Sequence, residues 1–172
     1  MLADAEFVDI NKAKANMDHI YDQGDPRPYF RELQKLGYAI PDTAKPIFQK
    51  LIAILRRQRN ANVHLLDLGC SYGVNAALLK HDLSMSDLYD HWGDVPGGAT
   101  SDEVVRWDLD YFSNLDELAD ITVTGLDQAG AAIAFGEQSG LLDVGLAFNL
   151  ETEPLPGATT PNLASVDLVI ST

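Results

Sequence analysis

The sequence predicts an α/β domain on a mostly parallel sheet, preceded by a helical extension. Three observations carry this. Four short apolar runs, VHLLDL (63–68), ITVTGLD (121–127), DVGLAFNL (143–150) and VDLVIS (166–171), read as strands. Long, largely helical segments separate the first three, which makes those connections crossovers and the strands parallel. The 172 residues, 46% hydrophobic and 22% charged, suffice for one domain with a real core.

Each element has a local reason. In residues 1–62 the pair Asp25-Pro26 opens a helix, with Asp as N-cap and Pro at the first helical position. Tyr29, Phe30, Leu33 and Leu36 then share a face, and Gly37 stops the helix. In PDTAKPIFQKLIAILRRQR, Ile47, Phe48, Leu51, Ile52 and Leu55 recur at helical spacing as an amphipathic stripe. Pro46 there either lies in the first turn or breaks a shorter helix before it. After the first strand, VNAALLK is a helix with Val74, Ala77 and Leu78 on one side. Residues 82–120 are too long for an ordinary helix-to-strand connection and read as a helical insertion. In it SDLYDHW is one helix, and Thr100 with Glu103 forms a capping box for DEVVRWDLDYF. QAGAAIAFGEQSG is a small-residue helix closed by Gly140.

Composition removes several functions. A net charge of −14 repels nucleic-acid backbones. Arg56, Arg57 and Arg59, the one basic cluster, read as a solvated helix end that complements the helix dipole. No apolar run is long enough to span a membrane, and the first residues lack the pattern of a secretory signal. One cysteine forms no internal disulfide, which fits a reducing, cytoplasmic setting. His19, His64, His81 and His91 show no metal-ligand spacing, and His64 reads as a satisfied strand histidine. The insertion's Tyr89, Trp92, Trp107, Tyr111 and Phe112 read as packing.

The chemistry concentrates in HLLDLGCSYGVN, residues 64–75. Its loop, Gly69-Cys70-Ser71-Tyr72-Gly73, lacks the third glycine of a dinucleotide fingerprint. Asp67 at the strand end is a poor neighbour for a pyrophosphate and a good one for an amine or sulfonium. Asp127 ends the next strand, where an open α/β sheet places a ribose-binding carboxylate. Cys70 reads as a small buried residue, and Ser71 as the N-cap of the following helix.

LLDLGCSYGVN, VTGLD, GLAFNLETEPLP and SVDLVIST resemble, in order over residues 63–172, four motifs of class I S-adenosylmethionine-dependent methyltransferases. The resemblance implies a Rossmann-like three-layer sandwich and S-adenosyl-L-methionine as cofactor. By match of position, Asp67 would orient the methionine amine. Gly69, Cys70, Ser71 and Gly73 would form the loop beneath the methionine and ribose. Asp127 would take the ribose hydroxyls, flanked by Leu126 and Gln128. Asn149 would lie near the adenine amino group, beside Leu150. Ser171 and Thr172 fall at the end of the fourth strand, and the stretch from Tyr21 through YDQGDPRPYF would be a helical lid. The gap from Gly69 to Asp127 exceeds the usual spacing of about 20 residues, which the insertion accounts for.

The resemblance implies methyl transfer to a small-molecule acceptor, with no residue identifiable as a base. The family's sheet continues past strand four, so VDLVIS is expected to be an exposed edge. Either the chain is a fragment of a longer one, or the edge pairs with a second copy in a homodimer. The rival functions are a non-catalytic nucleotide- or ligand-binding module and, more remotely, an NAD-dependent dehydrogenase.

Overall fold

The computed structural model describes residues 18–172 except 96, 118–119, 153, 155–156 and 158–159, and not the side chains of 18, 19, 160 and 161. Residues 1–17 of the expected N-terminal helical segment, and the His19 side chain, therefore lie outside the described residues, as do Glu153, Leu155 and Pro156 of the third motif. The elements are α1 (Asp18–Tyr21), α2 (Arg27–Lys35), α3 (Ile40–Arg59), β1 (Val63–Leu68), α4 (Val74–Lys80), α5 (Met85–Asp94), α6 (Ser101–Ser113), β2 (Ile121–Asp127), α7 (Gly130–Gln138), β3 (Val144–Ala147), α8 (Thr160–Ala164) and β4 (Leu168–Ile170).

The four strands form one all-parallel sheet in the order β3-β2-β1-β4, flanked by helices as in a Rossmann-like three-layer sandwich. Register places Asp67 beside Gly125 on one side and Ile170 on the other, and Asp127 beside Ala147. Both acids thus come to the carboxyl ends of their strands. The order reverses between β1 and β4, the switch point outside which open α/β sheets bind ligands.

β1 buries Val63, Leu65 and Asp67 on one face, an alternation set by the strand period of two. Val63 and Leu65 join Val123 of β2, Ala76–Leu79 of α4 and Phe135 of α7 in one core. Tyr29, Phe30 and Leu33 of α2 belong to the same cluster. α2 begins one residue later than expected: Pro26 takes the cap position, and Asp25 Oδ1 accepts the Arg27 backbone N–H at 3.0 Å. Gly37 ends the helix with φ of 62°, which only glycine adopts without strain.

α3 corrects two expectations. It runs from Ile40 straight through Pro46. Pro46 is exposed, so the carbonyl that loses its donor can turn to water. The five-residue stripe is also split. Ile52 is buried and Phe48 and Leu55 are half-buried, but Ile47 and Leu51 are exposed, because nothing packs on that flank among the described residues.

The insertion forms α5 and α6, each opened by a complete capping box, Ser84 with Asp87 and Thr100 with Glu103. It is bound to the N-terminal helices. Trp92 stacks on Phe30 at 3.8 Å, Tyr89 donates to the Tyr38 carbonyl at 2.6 Å, and Arg27 donates to the Ala99 carbonyl at 2.7 Å. Asp108 of α6, fully buried, accepts from Trp92 Nε1 at 3.0 Å and pairs with His91 Nε2 at 2.8 Å. The insertion's aromatics therefore pack and tether, and none lines the cavity described below.

Candidate functional site

The loop after β1 turns sharply enough to need three left-handed residues, Gly69 (φ 71°), Ser71 (φ 51°) and Gly73 (φ 88°). At Gly73 a Cβ would also approach Leu141 Cβ to 3.1 Å. Gly69 N–H donates to the Leu126 carbonyl at 2.8 Å, extending the β1–β2 ladder into the loop. Cys70 is buried against Gly125, and burial pushes its thiol far up, so it is packing and not a nucleophile.

Ser71 departs from expectation. It does not cap α4: Gly73 occupies that position, and the Ser71 hydroxyl, buried, has no hydrogen-bond partner among the described residues. Its backbone N–H instead donates to Asp127 Oδ2 at 2.9 Å. Asp127 Oδ1 accepts the Ala129 N–H at 3.0 Å. The Asp127 carboxylate is thus a clasp between the β1 loop and its own turn, and it remains half-exposed.

Asp67 differs in every respect. It is wholly buried. Oδ1 accepts from Asn75 Nδ2 at 3.0 Å, and the same amide donates to Thr172 Oγ1 at 3.2 Å. Oδ2 has no hydrogen-bond partner among the described residues. Burial pushes the carboxyl up to about 7; the Asn75 bond opposes that rise and the Asp127 charge adds to it. An orphaned carboxylate oxygen costs free energy unless it is protonated or meets a cation.

A cavity of about 560 Å³ opens at the turn that follows Asp127. Tyr21 and Asp22 form its wall from the N-terminal segment, Gln128 and Ala129 from the turn after Asp127, and Ala147, Phe148 and Asn149 from the end of β3. Asn149 Nδ2 donates to Gln128 Oε1 at 3.0 Å, which fixes the two amides against each other. The Phe148 N–H donates to the Asp127 carbonyl at 3.0 Å, so strand pairing delivers the cavity to the acid. Asp22 Oδ1 accepts the Ala131 N–H at 2.6 Å and anchors the segment on the first turn of α7.

Of the sequence-derived residues, Gln128 and Asn149 line the cavity and Asp127 immediately precedes it. Asp67, Gly69, Cys70, Ser71 and Gly73 do not line it, so the structure does not bring the β1 loop's expected residues to the cavity. Leu126 is buried in the sheet and serves through its carbonyl. Leu150 is exposed and off the cavity. Sequence reasoning did not single out Asp22, Phe148, Asn75 or Tyr72. Tyr72 is fully buried; its hydroxyl donates to the Gln23 carbonyl at 2.9 Å and accepts the Gln23 N–H at 3.3 Å. It stands 5.2 Å from Tyr29, itself 5.2 Å from Tyr21, so the N-terminal segment is seated on the loop through rings. The sequence's hint of this was the stretch YDQGDPRPYF, expected as a helical lid. No protein-family model, curated protein or solved structure matches the chain.

Proposed function

We propose that the chain binds S-adenosyl-L-methionine and acts as a methyltransferase on a small-molecule acceptor. The observation that carries this reading is a pair of carboxylates of different character at adjacent strand ends. Asp127 is half-exposed beside the cavity, and Asp67 is sealed with one oxygen unpaired. The residues fit that cofactor. Neither Lys nor Arg lines the cavity or stands in the loop, so the donor set suits hydroxyls and cations better than a pyrophosphate. Tyr21 and Phe148 offer ring faces for a purine, and the Gln128–Asn149 amides offer its edge polar partners. Asp127 retains lone pairs for ribose hydroxyls, and Asp67 Oδ2 would take an ammonium.

When bound, the cofactor supplies a methyl group on a positively charged sulfur. The chain's own contribution is position and dryness. Tyr72 holds residues 20–23 over the loop, and Asn75 fixes Asp67 and Thr172 in one network. Burial pushes the Tyr29 hydroxyl up, as it does the Cys70 thiol, so neither takes a proton from an acceptor near neutral pH. That observation also favours a second reading, ligand binding without catalysis. Titration calorimetry with S-adenosylhomocysteine and with NAD tests both. S-adenosylhomocysteine should bind and NAD should not. Binding of NAD alone would overturn the proposal, and turnover assays on a cofactor-binding chain decide between the two readings.

A further inference from the structure

The side-chain amides of the cavity wall form a relay whose direction is fixed. A backbone N–H can only donate, and the Glu151 N–H donates to Asn149 Oδ1 at 2.8 Å. Asn149 Nδ2 is therefore the donor to Gln128 Oε1, at 3.0 Å. Gln128 is left with Nε2, a donor that has no partner among the described residues. The opposite polarity comes from the N-terminal segment. Asp22 Oδ1 accepts the Ala131 N–H at 2.6 Å, and Asp22 Oδ2 has no partner among the described residues. Ala131 lies three residues after Gln128, where the turn leads into α7. That anchor brings an open acceptor and an open donor to the wall of one cavity.

We infer that Asp22 and Gln128 select a 6-aminopurine nucleoside by its Watson–Crick edge, with Asn149 as the positioning residue behind Gln128. The inference rests on the proposed function in one respect, that a nucleoside occupies this cavity. The exocyclic amino group donates to Asp22 Oδ2, and ring N1 accepts from Gln128 Nε2. Tyr21 and Phe148 line the same cavity and offer the ring its faces. A 6-oxopurine carries the reverse pattern, an acceptor O6 beside an N1–H donor. It sets oxygen against carboxylate and N–H against N–H, so polar groups on both sides lose their partners. The assignment departs from what motif position implies for Asn149. The Asn149 oxygen is taken by the Glu151 N–H and its nitrogen by Gln128, so it acts on the base through Gln128. The acceptor for the amino group comes instead from the N-terminal segment, which gives that segment a part in choosing the ligand.

Calorimetry of the full chain with S-adenosylhomocysteine and its 6-oxo counterpart, S-inosylhomocysteine, tests the inference. The wild type should prefer the amino compound by on the order of 10-fold or more. Asp22→Asn with Gln128→Glu exchanges acceptor and donor at unchanged net charge. Both new side chains still accept from Ala131 and Asn149, so the double variant should prefer the oxo compound. Asp22 and Gln128 are exposed, and an unchanged circular dichroism spectrum verifies the fold. Asn149→Ala should leave S-adenosylhomocysteine bound and bring the ratio of the two affinities toward one, because a released Gln128 amide turns either way. Equal affinities in the wild type overturn the inference, as does a double variant that still prefers the amino compound. Adenosine and inosine, titrated alongside, separate it from the proposed function. A chain that ignores S-adenosylhomocysteine and prefers adenosine to inosine upholds the choice of base and overturns the cofactor; one that binds none of the four compounds overturns both.

Discussion

Asp67 and Asp127 sit at equivalent strand ends and yet have opposite energetics. Asp127 is a satisfied carboxylate that accepts two backbone N–H groups. Replacing it with Ala would confound ligand loss with loop loss, so Asp127→Asn is the cleaner variant. It should weaken S-adenosylhomocysteine binding by roughly 1–3 kcal/mol in calorimetry, the scale of a charge-assisted hydrogen bond. An unchanged affinity in the folded variant removes Asp127 from the site. Asp67 is held protonated by burial, with its folded value of about 7 above the ordinary 3.8. Below the ordinary value both states are protonated and the group is neutral to folding. As pH rises from about 4 to 7 the unfolded chain releases its proton first, so stability falls, by on the order of 4 kcal/mol in full above 7. Asp67→Asn should therefore gain in melting temperature relative to the wild type between pH 5 and 8; a gap that does not change with pH would refute the assignment. If an ammonium meets Asp67, affinity for S-adenosylhomocysteine rises over the same window, because binding expels the proton. Both acids were legible in the sequence as strand-end residues. Their difference was not, since it depends on burial and on the contact with Asn75, which also bonds the distant Thr172.

At the scale of elements, the strands were legible in position and overestimated in length. DVGLAFNL contributes only Val144–Ala147, and VDLVIS only Leu168–Ile170. Apolar periodicity marks where a strand is buried, but its ends depend on how far a neighbour continues. α3 shows the complementary error. One helical stripe was read where there are two, because sequence spacing cannot say which flank has a neighbour. The turn after α7 leans on β2 at Gly125, where a Cβ would stand 2.7 Å from both Cys70 Sγ and Leu142 Cδ1. Gly125→Ala should cost roughly 1–3 kcal/mol in denaturant unfolding, by overpacking. In the insertion, Asp108 is the single acceptor for two buried donors on α5. Asp108→Ala leaves both unsatisfied and should destabilise by roughly 2–4 kcal/mol; a loss under 1 kcal/mol would show that the tether is not a stability element.

For the molecule as a whole, the parallel sheet, its helical extension and its insertion followed from length and patterning. How the extension seats on the sheet did not, because the contacts join residues some fifty positions apart, as Tyr72 does Gln23. The melting temperature should rise between 20 and 300 mM NaCl as the self-repulsion of a chain at −14 is screened; a flat response would show the charge to be dispersed. The Tyr72 latch has a kinetic consequence. Tyr72 holds residues 20–23, of which Tyr21 and Asp22 wall the cavity. A ligand for which that wall must lift enters only in the fraction of time the segment is open, so its arrival follows first-order opening and saturates with concentration. Tyr72→Phe would raise that plateau in stopped-flow, and the ligand would leave sooner as well as arrive sooner.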